Sequence, residues 1–232
     1  MIYVGIDDTN NEESVGTAKF TRQVASKIAE KFPIYGVTRH QLYQNREINY
    51  SLHNFCAVIH VEVDKKYLNT IFSNARNEII DNFNIGSDPG LAVAAAETIS
   101  PEVVQFGWDA KDKVVKMDDA YIFAKNSKIK IEGFGETGNG VVGALAGVGL
   151  ASTKDDGRFV QLGELRKIKQ PGSVQKFLNS GIDKIITLEG VPVNEGMIFN
   201  TDNKPVKPSP VDGDVVLFVE PVNNMFRAVN RD

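Results

Sequence analysis

The chain has 232 residues, 42% of them hydrophobic and 24% charged, a balance that excludes a disordered chain and suits one large domain or two small ones. A formal charge of −4, from 26 basic and 30 acidic residues, excludes a broad basic face for gripping duplex nucleic acid and leaves room only for a local basic groove. The single cysteine, Cys56, excludes a disulfide framework and a cysteine zinc site, and within Phe55-Cys56-Ala57-Val58-Ile59 it reads as a core residue.

In chain order, Ile2-Tyr3-Val4-Gly5-Ile6 reads as a buried strand that ends at two aspartates. No basic segment with an apolar signal core accompanies it, and no window reaches membrane-spanning length, so a cytoplasmic protein without a membrane partner is expected. Phe20, Val24, Ile28 and Phe32 recur every four residues, the inner face of a helix that Pro33 stops. Ile34 to Val37 and Ala57 to Val63 read as strands, and Leu68 to Ile80 carries helical spacing. After Asp88-Pro89-Gly90, the alanine-rich run from Leu91 to Ile99 suits a closely packed helix ended by Pro101. Val114 to Ala124 and Ile129 to Ile131 return to strand-like composition. The second of these runs leads through a glycine-rich loop into an apolar helix reaching about Leu150. Beyond Gly190, short segments broken by Pro and Gly predict a small β-rich tail, giving residues 1–189 and 190–232 as the two parts. The expected class is α/β, with α+β as the alternative: two strand-loop-helix units around mixed sheets.

Two loops on this scaffold have the chemistry of a phosphate site. Asp7-Asp8-Thr9-Asn10 leaves the end of a strand, and adjacent carboxylates repel unless a cation or donors offset them. Magnesium, which prefers one or two carboxylates completed by waters and phosphates, would do so. Thr17, at a helix start, adds amides and a positive dipole end. The plainer reading is that one aspartate caps a turn. The other loop spans Gly133 to Gly143, with Gly133, Gly135 and Gly138 in a Gly-x-Gly-x-x-Gly pattern; glycine lets successive amides point at an anion. A dinucleotide fold is the competing reading, with Asp155 or Asp156 at the ribose offset, but no second strand precedes them. Arg39, His40, His53 and Asn54 form a third polar group in which Arg39 could clamp a phosphate, while His60 reads as structural.

Gly5-Ile6-Asp7-Asp8-Thr9, Gly16-Thr17, the Arg39 segment, the Asn54 loop and Gly138-Asn139-Gly140-Val141-Val142-Gly143-Ala144-Leu145-Ala146 together resemble the N-terminal kinase-like domain of archaeal agmatidine synthases. The resemblance spans much of residues 1–160, in the same order. It departs at Asn10, where the family has a further aspartate, and in the length of the following loop. Members of that family use ATP and magnesium to phosphorylate a tRNA cytidine before agmatine displaces the phosphate. By resemblance, Asp7 and Asp8 would hold Mg2+ and, with Thr17, be the catalytic residues. Thr9, Arg39, Asn54, Gly135, Gly138, Asn139, Gly140 and Gly143 would bind ATP. The chain has neither the length nor the cysteines for that family's nucleic-acid-binding module and zinc ribbon, and so resembles a free-standing short relative. The expectation is an ATP- and Mg2+-dependent phosphotransferase- or ligase-like enzyme acting on a nucleoside, RNA or a small metabolite. The alternatives are a nucleotide- or RNA-binding module without turnover and, behind it, a dinucleotide-dependent oxidoreductase. Partners are a nucleotide with RNA or a small-molecule acceptor; assembly into a homo-oligomer stays open.

Overall fold

A computed structural model describes residues 1–9, 16–45, 54–82, 84 and 86–231. Asn10 and His53 therefore lie outside the described residues. The chain divides into two compact units, Met1–Thr153 and Lys154–Asp232. Among the described residues no helix is long and apolar enough to cross a membrane.

In the first unit, β1 (Ile2–Asp7) is followed by α1 (Thr17–Ala29), β2 (Ile34–Gln41), β3 (Phe55–Val61) and α2 (Leu68–Asn82). Then come β4 (Gly90–Ala95), α3 (Pro101–Asp112), α4 (Met117–Asn126), β5 (Lys130–Gly133) and α5 (Gly140–Thr153). The strands lie in the order β5-β4-β1-β3-β2, and each of these neighbouring pairs is antiparallel. The strand-loop-helix units expected from sequence thus close across the sheet through intervening antiparallel strands.

Alternation along the strands separates two buried faces. Tyr3, Cys56, Val58, Ala92 and Ala94 join α3, α4 and α5 in one hydrophobic cluster. Ile2, Val4, Ile6, Ala57, Ile59 and Val61 are also fully buried, on the other face, with α1 and α2 packed along these strands. Helix α5 is apolar all round and buried along nearly its whole length, as a helix pressed against the middle of a sheet must be. Gly147 lies against Cys56 and Val58, and Gly149 against α3.

Three sequence expectations are corrected here. Leu91 to Ala95 is not helical but the core of β4, between β1 and β5, with every residue buried. A strand covered on both faces reads as an unbroken apolar run, and alanines suit it because α5 approaches closely; tertiary packing overrides alanine's helix preference. Val114 to Ala124 is not a strand: Met117–Asn126 is a helix, with Asp118 and Asp119 favouring its first turn and Ala120 and Ala124 on its buried side. Pro101 starts α3 instead of ending a helix, at the position where its missing N–H is no loss.

Thr38 anchors a buried polar network on the α5 face. Its hydroxyl lies 2.7 Å from His40 Nε2 and 2.8 Å from His60 Nε2, and the His60 ring meets Tyr3 edge-on at 5.1 Å. His40 and His60 are thereby built into the core.

The second unit is β-rich and begins well before Gly190. It contains β6 (Arg158–Leu162), β7 (Gly172–Ser173), α6 (Val174–Leu178), β8 (Lys184–Thr187), β9 (Met197–Phe199), β10 (Ser209–Val211), β11 (Asp214–Val222) and β12 (Met225–Val229). Its mixed sheet runs β10-β11-β12-β9-β7, with β8 parallel to β11. That parallel pairing, and a bond from Phe159 N–H to the Pro208 carbonyl, tie residues before Gly190 to the tail and explain why the division falls after Thr153. Phe177, Ile198, Leu217 and Val219 are fully buried in this unit.

Candidate functional site

The acidic loop and the glycine-rich loop meet in the first unit. Asp7 is the last residue of β1, on the face that α5 covers, and its carboxylate rests against Gly143 in the first turn of that helix. A Cβ on Gly143 would stand 2.5 Å from Asp7 Cγ and closer still to Oδ2, so only glycine leaves the carboxylate its place. Asp8 follows with φ of 48°, a left-handed conformation that aspartate tolerates better than most residues. Its carbonyl accepts from the Asp88 N–H at 3.2 Å, and the Asp88 carbonyl in turn accepts from the Gly140 N–H at 3.2 Å. Asp88, just ahead of β4, thus bridges the end of β1 to the start of α5.

The Asp88 side chain does something the sequence did not reveal. Its Oδ1 accepts from the amides of Thr137 and Gly138, each at 3.0 Å, and Oδ2 accepts from the Asn139 amide at 3.4 Å and from the Thr137 hydroxyl. The amides of residues 137–139 therefore form an anion nest, as the glycine pattern predicts, and it holds the chain's own carboxylate. Gly135 (φ 80°) and Gly138 (φ 71°) supply the turns that aim these amides. A Cβ on Gly135 would come within 2.5 Å of Asp88 Oδ1.

Three carboxylates of differing character thus share one edge of the sheet. Burial pushes the Asp7 carboxyl well above the usual carboxylate range, and the charge of Asp8 adds to this. Burial, together with the charge of Asp88, pushes Asp8 up to about 6. For Asp88 burial also acts upward, but hydrogen bonds from Thr137, Gly138 and Asn139 outweigh it and hold the group below its ordinary value. Thr9, next in the chain, is fully buried; its carbonyl accepts from Asn84 Nδ2 at 3.1 Å while its hydroxyl has no hydrogen-bond partner among the described residues. Among the described residues no three His, Cys, Asp or Glu side chains gather closely enough to ligate an ion by themselves.

Of the residues named from sequence, Asp7, Asp8, Gly135, Gly138, Asn139, Gly140 and Gly143 come together around Asp88. Thr17 is the buried first residue of α1, behind an extended Gly16, and its carbonyl accepts from the Thr21 hydroxyl at 2.9 Å. Arg39 is opposite Ala57 on β3, which is opposite Ile6, so it projects from the face of the sheet away from Asp7. There its guanidinium stacks 3.9 Å from the Phe55 ring and bonds Gln41 Oε1 at 3.1 Å. Asn54 donates its amide to the Tyr43 carbonyl at 2.7 Å, shaping the entry to β3. Asp155, the ribose candidate of the dinucleotide reading, accepts from the Asp212 amide within the second unit, and the glycine pattern follows an antiparallel edge strand; a parallel dinucleotide fold is absent from these pairings.

No protein-family model matches the chain, and no curated protein matches it in sequence. Solved structures do match in fold. A tRNA fluorescent labeling enzyme aligns with a TM-score of 0.55 and 23% identity, over 64% of this chain and 35% of that one. Apo TiaS, the tRNAIle2 agmatidine synthetase, aligns with a TM-score of 0.54 and 22% identity, over 64% and 35%. The TiaS-tRNA(Ile2)-ATP complex aligns with a TM-score of 0.55 and 23% identity, over 64% and 36%. The chain spans about a third of the length of these proteins. The resemblance read from the acidic and glycine-rich motifs is therefore matched in three dimensions: over 64% of its length this chain shares the fold of part of an agmatidine synthetase.

Proposed function

We propose that the chain is an ATP- and Mg2+-dependent enzyme, phosphotransferase- or ligase-like, acting on a nucleoside, RNA or a small metabolite. One observation carries the reading: the Asp7 carboxylate is seated against Gly143, so the acidic loop and the anion nest belong to one site. The fold likeness supports it, since one of the similar structures is a complex with tRNA and ATP.

The residues present suit both groups. Asp7 and Asp8 are carboxylates whose charge is disfavoured by burial and by a neighbouring carboxylate, Asp8 for Asp7 and Asp88 for Asp8, a state that a divalent cation relieves. Two carboxylates completed by water and phosphate oxygens are an ordinary magnesium shell. The amides of 137–139 and the start of α5 are built for a negatively charged oxygen. When bound, Mg2+·ATP supplies an activated phosphoryl group and neutralises its charge. Asp7 and Asp8 would hold the cation and backbone N–H groups would orient the phosphate, while Gly140 and Gly143 keep the first turn of α5 close. No covalent nucleophile is required of it, because phosphoryl transfer rests on positioning and charge.

Calorimetric titration of ATP with and without Mg2+ into wild type and Asp8→Ala tests this reading. Binding that depends on Mg2+ and is lost in Asp8→Ala is expected; equal heats for the two proteins would sink it. A panel of nucleoside, tRNA and amine acceptors then separates turnover from the second reading, a nucleotide-binding module without chemistry. The departure from the acidic motif at Asn10 favours that second reading.

A further inference from the structure

The nest at residues 137–139 is made for an anion, yet an aspartate about fifty residues earlier in the chain already fills it with four hydrogen bonds. Such bonds to a charged acceptor are roughly twice as strong as neutral ones. Asp88 is only half-buried, so its carboxylate can swing outward without opening the core. Its backbone is held separately, by Asp8 and Gly140, so the swing leaves the floor of the site in place. Among the described residues the buried hydroxyl of Thr9, next to Asp8, has no hydrogen-bond partner.

We propose that Asp88 is a built-in competitor for the nucleotide: it occupies the amide nest in the free protein, and a phosphate of the incoming nucleotide takes its place. The proposal rests on the nucleotide reading above and adds how that site is regulated. Displacement takes the amide donors away from Asp88, whose charge already acts on Asp8, and adds the negative charge of the phosphate beside Asp7 and Asp8. Phosphate therefore enters favourably only with a cation to balance the three carboxylates, and the exchange couples the two ligands. In the language of populations, the apparent affinity is the intrinsic one multiplied by the fraction of molecules whose nest is open.

The test compares wild type with Asp88→Asn, which keeps the shape and removes the charge, using ATP and inorganic tripolyphosphate with and without Mg2+. Asp88→Asn should bind both probes about tenfold more tightly, as an open fraction of about one in ten would give, with the larger gain in the absence of Mg2+. If wild type binds Mg2+·ATP and a folded Asp88→Asn binds it equally or less well, Asp88 is not a competitor and this proposal fails while the nucleotide reading stands. If neither protein binds either probe, the nucleotide reading fails and takes the proposal with it. Should Asp88→Asn not fold, amide NMR of wild type decides. Signals of Thr137, Gly138 and Asn139 moving together with those of Asp88 on adding tripolyphosphate support displacement; nest amides unmoved at saturation overturn it.

Discussion

Gly143→Ala isolates the contact on which the site depends. The new Cβ would lie 2.5 Å from Asp7 Cγ, whereas carbon atoms rest at about 3.5–4.0 Å, so the carboxylate must withdraw by roughly 1 Å or the helix must lift. Overpacking of this kind costs about 1–3 kcal/mol, and alanine's advantage over glycine inside a helix returns about 1 kcal/mol, leaving a net loss of about 0–2 kcal/mol. In an Asp7→Ala background the offending Cγ and carboxylate oxygens are gone, and the same substitution should be stabilising by about 1 kcal/mol. Urea unfolding of the four proteins of this cycle, in chelator, therefore should give a coupling of about 1–3 kcal/mol. Magnesium-dependent ATP binding should fall sharply in Gly143→Ala alone. A coupling below about 0.5 kcal/mol, with all four proteins folded, would refute the proposed seating of Asp7.

Other expectations follow from the same edge of the sheet and from the core behind it. Asp8 is raised from 3.8 to about 6, so its burial is least costly below pH 4, and the cost grows between pH 4 and 6 and is complete above that. Allowing for solvent around a partly exposed group, Asp8→Asn should gain about 1–2 kcal/mol over wild type at pH 7.5 and almost nothing at pH 4. Melting curves across that range without metal would show the gap opening with pH, and a constant gap would count against it. Thr9→Val replaces a buried hydroxyl that has no partner among the described residues with a methyl group and should raise the unfolding free energy by about 1 kcal/mol; a loss of similar size would mean that the hydroxyl is hydrogen-bonded. Thr38 has one hydroxyl proton between two imidazole nitrogens, so at least one of His40 and His60 must carry its hydrogen on Nε2 when both rings are neutral. Nitrogen NMR finding both rings protonated only on Nδ1 would contradict that geometry, and Thr38→Val should cost about 1–3 kcal/mol in unfolding experiments.

The parts of the site legible in the sequence are those set by neighbours along the chain. Ile2 to Asp7 and Lys130 to Gly140 read correctly because a strand that ends in aspartates or glycines signals its own turn. The burial of Cys56 follows from the apolar run around it. What stayed hidden depends on partners distant in sequence. Leu91 to Ala95 has the composition of a helix and becomes a strand only because β1 and β5 flank it and α5 covers it. Asp88 sits in an Asp-Pro-Gly run that looks like an ordinary turn, and nothing local tells that its carboxylate reaches residues 137–139. Arg39 reads as a phosphate clamp by residue type; the β2 register turns it to the other side of the sheet.

The closeness of α5 to the strands also decides where the molecule can yield. Gly5 and Gly147 bring the helix backbone so near the sheet that neither can be lifted without opening a void in a dry interior. Any accommodation of a bound phosphate must then fall to the connecting segments, Asp8–Thr9 and Ser87–Pro89, while the helix beneath keeps its position. In hydrogen exchange these two short stretches should respond to ligand as one cooperative patch, and the amides of α5 should remain the slowest in the first unit whether or not nucleotide is present.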